Sequence, residues 1–191
     1  MSIRNQELIK KYIDKKSSFL CEEWYDMDII ENDRACLCVL NDVWWEGGYE
    51  RFSLPSEKEK FYRITQQALD ILLEYARSLG EKICCIGPFH CYENFEHWSN
   101  KEDFDCFNEL KEHIKNDEYI ILNMESNKEL LGLIIENGFR YLSCVCVYLP
   151  KNDILIEPDN HTQLFVYSND LESLKEGLNK VVVPKGWRVV G

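Results

Sequence analysis

Between Ser56 and Gly80, the residues Phe61, Ile64, Ala68, Leu72, Tyr75 and Leu79 recur every three or four positions. That spacing places them on one face of a helix over 57–79, with Ser56 as N-cap, Glu59 completing a capping box and Gly80 as the stop. A helix with one apolar face has to bury it against another layer, and the rest of the chain supplies short apolar runs of strand type.

Ala35-Cys-Leu-Cys-Val-Leu40 is continuously apolar and suits a strand covered on both faces. Gly47-Gly48, between 43–46 and 49–54, supplies the positive φ angles of a tight hairpin. Ahead of them, Leu8, Ile9, Tyr12 and Ile13 give residues 4–16 the pattern of an amphipathic helix. Beyond Gly80 the pattern reads strand 82–86, helix 101–115 capped by Asn100, strand 119–123, and helix 127–137 capped by Ser126 and closed by Gly138. Strands over 140–148, 153–156 and 163–167 follow, then helix 170–179 and strand-like pieces at 181–183 and 188–190. Single helices between the strands of 82–148 point to parallel βαβ units, and the short turns of 140–167 to antiparallel pairing. The expected class is α+β (mixed α/β), with a mixed parallel/antiparallel sheet flanked by helices. No linker composition or repeat divides the chain, so residues 1–191 read as one domain, the alternative being two packed lobes, 1–80 and 81–191.

Charge then limits the function. The chain holds 34 Asp and Glu against 22 Lys and Arg, a net charge of −12, on a body that is 45% hydrophobic and 13% aromatic. Such a composition folds, and its field repels phosphate while attracting cations or basic proteins. Nucleic acid is excluded as a partner on this sign, as no Lys/Arg cluster interleaves with aromatics. Gly47-Gly48, Gly132 and Gly138 match neither a dinucleotide fingerprint nor a phosphate loop, so no cofactor is expected. Apolar runs such as 130–135 and 145–149 are too short to span a bilayer, and the first residues lack the pattern of a signal peptide. A cytoplasmic, soluble protein without membrane association is expected. Nine cysteines, several inside apolar strands, fit reduced core residues of an intracellular chain better than a disulfide framework.

Three regions hold candidate site residues. The densest is the loop from Gly87 to Trp98, where His90, Cys91 and His97 offer zinc ligands alongside Cys84 or Cys85. Cys91, His97 and Glu93 there form a candidate nucleophile, base and orienting group. Neither spacing is diagnostic of a metal or nucleophile class, and packed aromatics with solvated polar groups are the better account of the loop. Glu157, Asp159 and His161 lie at alternate positions, but the intervening Pro158 and Asn160 favour local hydrogen bonding in a turn.

The third region is aromatic and acidic. Glu22, Glu23, Trp24, Tyr25 and Asp26 begin a run of acids without a base, and Trp44-Trp45 lies beside Glu46 and Tyr49. Adjacent strand residues point to opposite faces, so one indole reaches the surface unless helices cover both. Aromatics ringed by charge are the composition of interface hot spots. Residues 93–118 form a second acidic stretch, either a solvated face or a surface that steers a basic partner.

The leading expectation is an acidic cytosolic protein-binding protein that neutralises a basic partner, as bacterial immunity proteins and antitoxins neutralise toxins. Its anchors are Glu22, Glu23, Trp24, Tyr25, Asp26, Trp44, Trp45, Glu46 and Tyr49. The alternatives are a small hydrolase or zinc-dependent enzyme using the loop of His90, Cys91 and His97, and a regulatory subunit of a larger assembly.

Overall fold

The computed structural model describes residues 35–40, 55–87, 90–91, 101–114, 119–140, 142–159 and 161–191. The expected helix at 4–16 and the hairpin around Gly47-Gly48 lie outside these residues.

Strand β1 (Ala35–Leu40) precedes the long helix α1 (Pro55–Ser78) and strand β2 (Ile83–Ile86). The short strand β3 (His90–Cys91) and helix α2 (Lys101–His113) come next, then β4 (Ile120–Asn123) and α3 (Lys128–Phe139). The chain continues through β5 (Ser143–Cys144), β6 (Val147–Leu149), β7 (Ile154–Asp159) and β8 (Gln163–Ser168) to α4 (Leu171–Val182) and β9 (Trp187–Val190). Seven strands form one sheet in the order β4-β2-β6-β7-β8-β1-β9, while β3 and β5 pair as a separate ribbon.

Every neighbouring pair in the large sheet is antiparallel, which corrects the mixed sheet expected from sequence. The reason lies in strand insertion. β4 and β6, joined through α3, do run in the same direction, but β2 lies between them and pairs antiparallel with both. The same arrangement recurs at the other edge, where β8 and β9, joined through α4, flank β1. Sequence spacing read the β4–α3–β6 crossover and missed the strand that fills it, and β2 and β4, expected as a parallel unit through α2, are antiparallel neighbours.

Alternation along the strands makes two faces. Cys84, Ile86, Ile120, Leu122, Val147, Leu149, Ile154 and Ile156 point to the principal core with the apolar faces of the four described helices. Between them, Cys85, Ile121, Cys146, Tyr148 and Leu155 form a smaller buried cluster on the reverse face, to which no described helix contributes. On the helical side α1 packs against both α3 and α4, and α2 against α3. Trp187 of β9 is fully buried in the principal core and donates its indole N–H to Gln67 of α1 at 3.3 Å.

Other local expectations are corrected by packing. The run 140–148 is two strands, with β5 in the small ribbon and β6 in the large sheet, because the chain leaves one ladder at Val145-Cys146 and joins another. Residues 181–182 continue α4, whose Leu174, Leu178 and Val182 follow helical rather than strand spacing. Ser126 does not cap α3; a short 3₁₀ turn over Glu125–Asn127 runs directly into it, and Ser126 instead hydrogen-bonds Asn123. Gly138 does not end α3 either. A Cβ at that position would lie 2.6 Å from the Pro158 carbonyl oxygen, so glycine there lets α3 approach β7.

Candidate functional site

The anchors expected from sequence, Glu22, Glu23, Trp24, Tyr25, Asp26, Trp44, Trp45, Glu46 and Tyr49, lie outside the described residues, as do Glu93 and His97. His90 and Cys91 form β3, where the ladder sets His90 opposite Cys144 and Cys91 opposite Ser143. Cys84 and Cys85 point into the two separate apolar clusters. Burial pushes the Cys85 thiol up to about 12 and the Cys84 thiol higher still, as expected of cysteines packed among apolar side chains. Cys36, Cys38 and Cys106 are likewise buried free thiols held protonated by desolvation. Among the described residues no three His, Cys, Asp or Glu side chains gather to hold a metal ion.

At the β7–β8 turn, Asp159 accepts from the His161 backbone N–H at 3.1 Å and the Gln163 amide at 2.8 Å, with His161 Nδ1 2.9 Å away. Glu157 instead accepts from the Tyr167 hydroxyl. The three alternate residues thus divide between turn closure and strand pairing, as the local reading expects.

The densest polar cluster lies where α1, α2 and α3 meet, around Arg140. Its side chain is only 1% exposed and donates to Asp103 at 2.7 Å, Glu102 at 2.9 Å and Glu136 at 2.7 Å. The guanidinium also lies 5.1 Å from the centre of the Phe61 ring and donates to the Tyr62 hydroxyl at 3.2 Å. Tyr62 in turn donates to Glu102 at 2.6 Å, and Lys58 pairs with the other Glu102 oxygen. Hydrogen bonds from Lys58, Tyr62 and Arg140 hold the Glu102 carboxyl at about 2, well below the usual carboxylate range. Partial burial and the bond to Glu102 push the Tyr62 phenol up to about 12. With its donors occupied by three carboxylates, this arginine works as a clamp between helices.

Beside the clamp a groove of about 850 Å³ runs between α1 and α3. Leu69 and Leu73 of α1, with Gly132 and Leu133 of α3, form its apolar floor. Asp70, Glu74, Glu109, Glu129 and Glu136 stand around it, against Arg77 and Lys128. Both cations are already engaged by one carboxylate, Glu125, at 2.7 and 2.8 Å. Glu136 belongs to Arg140 and Glu74 to Lys185, whereas Asp70, Glu109 and Glu129 join no ion pair among the described residues. Past Glu109, Lys128, Glu129 and Leu133 the depression continues into a second hollow of about 500 Å³. The groove is thus an apolar strip edged mainly by carboxylates, with Arg77 and Lys128 held by Glu125.

Sequence reasoning missed this groove because its walls are 50 to 70 residues apart in the chain. The signals present were the acids on the outer face of α1, the acidic stretch containing Glu109, and the isolated Gly132 within a helical pattern. That acidic stretch divides in space: Glu102 and Asp103 turn inward to Arg140, and Glu109 faces the groove. No family model, curated protein or solved structure matches the chain.

Proposed function

We propose that this chain is an acidic protein-binding protein whose partner is a basic protein, and that it neutralises that partner in the manner of an immunity protein or antitoxin. The observation that carries the reading is the groove between α1 and α3, where an apolar floor meets carboxylates, Asp70, Glu109 and Glu129, that join no ion pair among the described residues. A net charge of −12 would steer a basic partner toward it, raising the association rate, and the apolar floor would supply affinity that salt does not screen. The anchors read from sequence around Trp24 and Trp44, outside the described residues, are proposed as further contacts to such a partner. A cytoplasmic setting accords with the buried, protonated thiols. In this reading residues 1–191 act as one unit, supported by the position of β1 within the sheet between β8 and β9.

The test is affinity purification of the full chain from its own host at low and at high salt, beside a variant carrying Asp70→Lys, Glu109→Lys and Glu129→Lys. A stoichiometric basic protein held by the wild type, weakened by salt and lost from the variant, is the expected result. Equal capture by both proteins, or capture only of acidic proteins, would contradict the reading.

A further inference from the structure

Among the described residues, three glycines lie inside helices, and they differ in what a side chain would meet. Gly138 abuts Pro158, and a Cβ at Gly177 of α4 would come within 3.0 Å of the Tyr75 ring, so close packing accounts for both. Gly132 has no such reason: a Cβ there would make an ordinary contact with Leu69 Cδ2 at 3.5 Å. Glycine in mid-helix is disfavoured relative to alanine, and at Gly132 packing does not require it. What its missing side chain leaves is the width of the groove, whose floor it forms with Leu69, Leu73 and Leu133.

We propose that the groove between α1 and α3 receives a basic amphipathic helix of the partner protein, and that Gly132 keeps the groove open for it. This rests on the basic-partner reading and names the element and the chemistry of its contact. A helix about 10 Å across, rising about 5.4 Å per turn, fills roughly 400 Å³ per turn. The 850 Å³ of the groove therefore matches about two turns of helix. Apolar residues at i, i+3, i+4 and i+7 would lie along Leu69, Leu73 and Leu133, and lysines or arginines flanking them would reach Asp70, Glu109 and Glu129. A small organic ligand fits less well, because such pockets are mainly apolar with few polar groups, whereas carboxylates edge this one.

The test uses a fluorescent synthetic peptide of about 18 residues, Leu and Lys only, with Leu at helical spacing. It is titrated against the full chain by anisotropy at about 0.02 M and about 0.5 M salt. The expected result is saturable binding, released by salt, that Gly132→Ala weakens measurably and Gly132→Phe weakens further, by about tenfold or more. Glu109→Lys with Glu129→Lys, both on exposed positions and therefore safe for folding, should also weaken it by about tenfold. Circular dichroism and thermal melting confirm that each variant is folded. Salt-sensitive binding that a folded Gly132→Phe and the charge reversals leave unchanged would overturn the groove assignment and leave the basic-partner reading standing. Failure to bind at low salt while the full chain still captures a basic protein would overturn the helix-in-groove assignment alone, and failure of both would overturn both.

Discussion

Arg140 carries more of the polar architecture than any other described side chain. Removing it while its carboxylates stay in place strands Asp103 and Glu136 near the interior, and breaking a buried pair in this way costs about 3 to 5 kcal/mol. Arg140→Met should therefore lower the urea stability by that order, and Arg140→Lys should recover little, because an ammonium cannot fork to several carboxylates. A loss below about 1 kcal/mol would contradict the clamp. Glu102 adds a pH dependence of defined sign. Folding lowers its pKa from 4.5 to about 2, so its contribution is complete above about 4.5 and is lost as pH falls toward about 2. Glu102→Gln should flatten the fall in stability across that window, and an unchanged slope would refute the assignment. The thiols give a third check: in native protein Cys36, Cys38, Cys84, Cys85 and Cys106 should resist alkylation at pH 8, as read by peptide mapping. Of the clamp, the spacing of Glu136 and Arg140 alone was legible, and closing the helix at Gly138 with Arg140 in a strand hid even that, since Arg140 is the helix C-cap. Glu102 and Asp103 were not, lying 38 and 37 residues from Arg140, a distance that only the packing of α2 on α3 closes.

Among the elements, helices were read more faithfully than strands, for a physical reason. The apolar repeat of α1 specifies its conformation and its buried face together, and the helix is found at Pro55–Ser78. Strand pairing depends on partners distant in sequence, so the direction of β4 relative to β6 could be inferred while the insertion of β2 between them could not. The glycines of α3 show the same limit, since identical residues six apart serve different ends. Gly132→Ala should raise stability by up to about 1 kcal/mol through helix propensity. Gly138→Ala should lower it by about 1 to 3 kcal/mol, the usual cost of overpacking, because its Cβ would collide with Pro158. Thermal melts of the two variants read opposite signs, and shifts in one direction would contradict the packing described here.

Across the whole molecule, the antiparallel sheet carries all four described helices on its principal face, and α1 and α3 meet there with the groove between them. The acidity read from composition proves uneven in space: some carboxylates close on Arg140, some on lysines, and Asp70, Glu109 and Glu129 remain at the groove. Composition revealed the sign of the field, and only folding could show where its unpaired part lies. The most direct measurement is methyl NMR of leucine-labelled full chain titrated with the Leu/Lys peptide. Shifts centred on Leu69, Leu73 and Leu133 and reversed by salt are predicted, with Leu155 on the reverse face unmoved. Shifts centred on Leu155, or none at saturating peptide, would contradict the groove as the place where a basic partner docks.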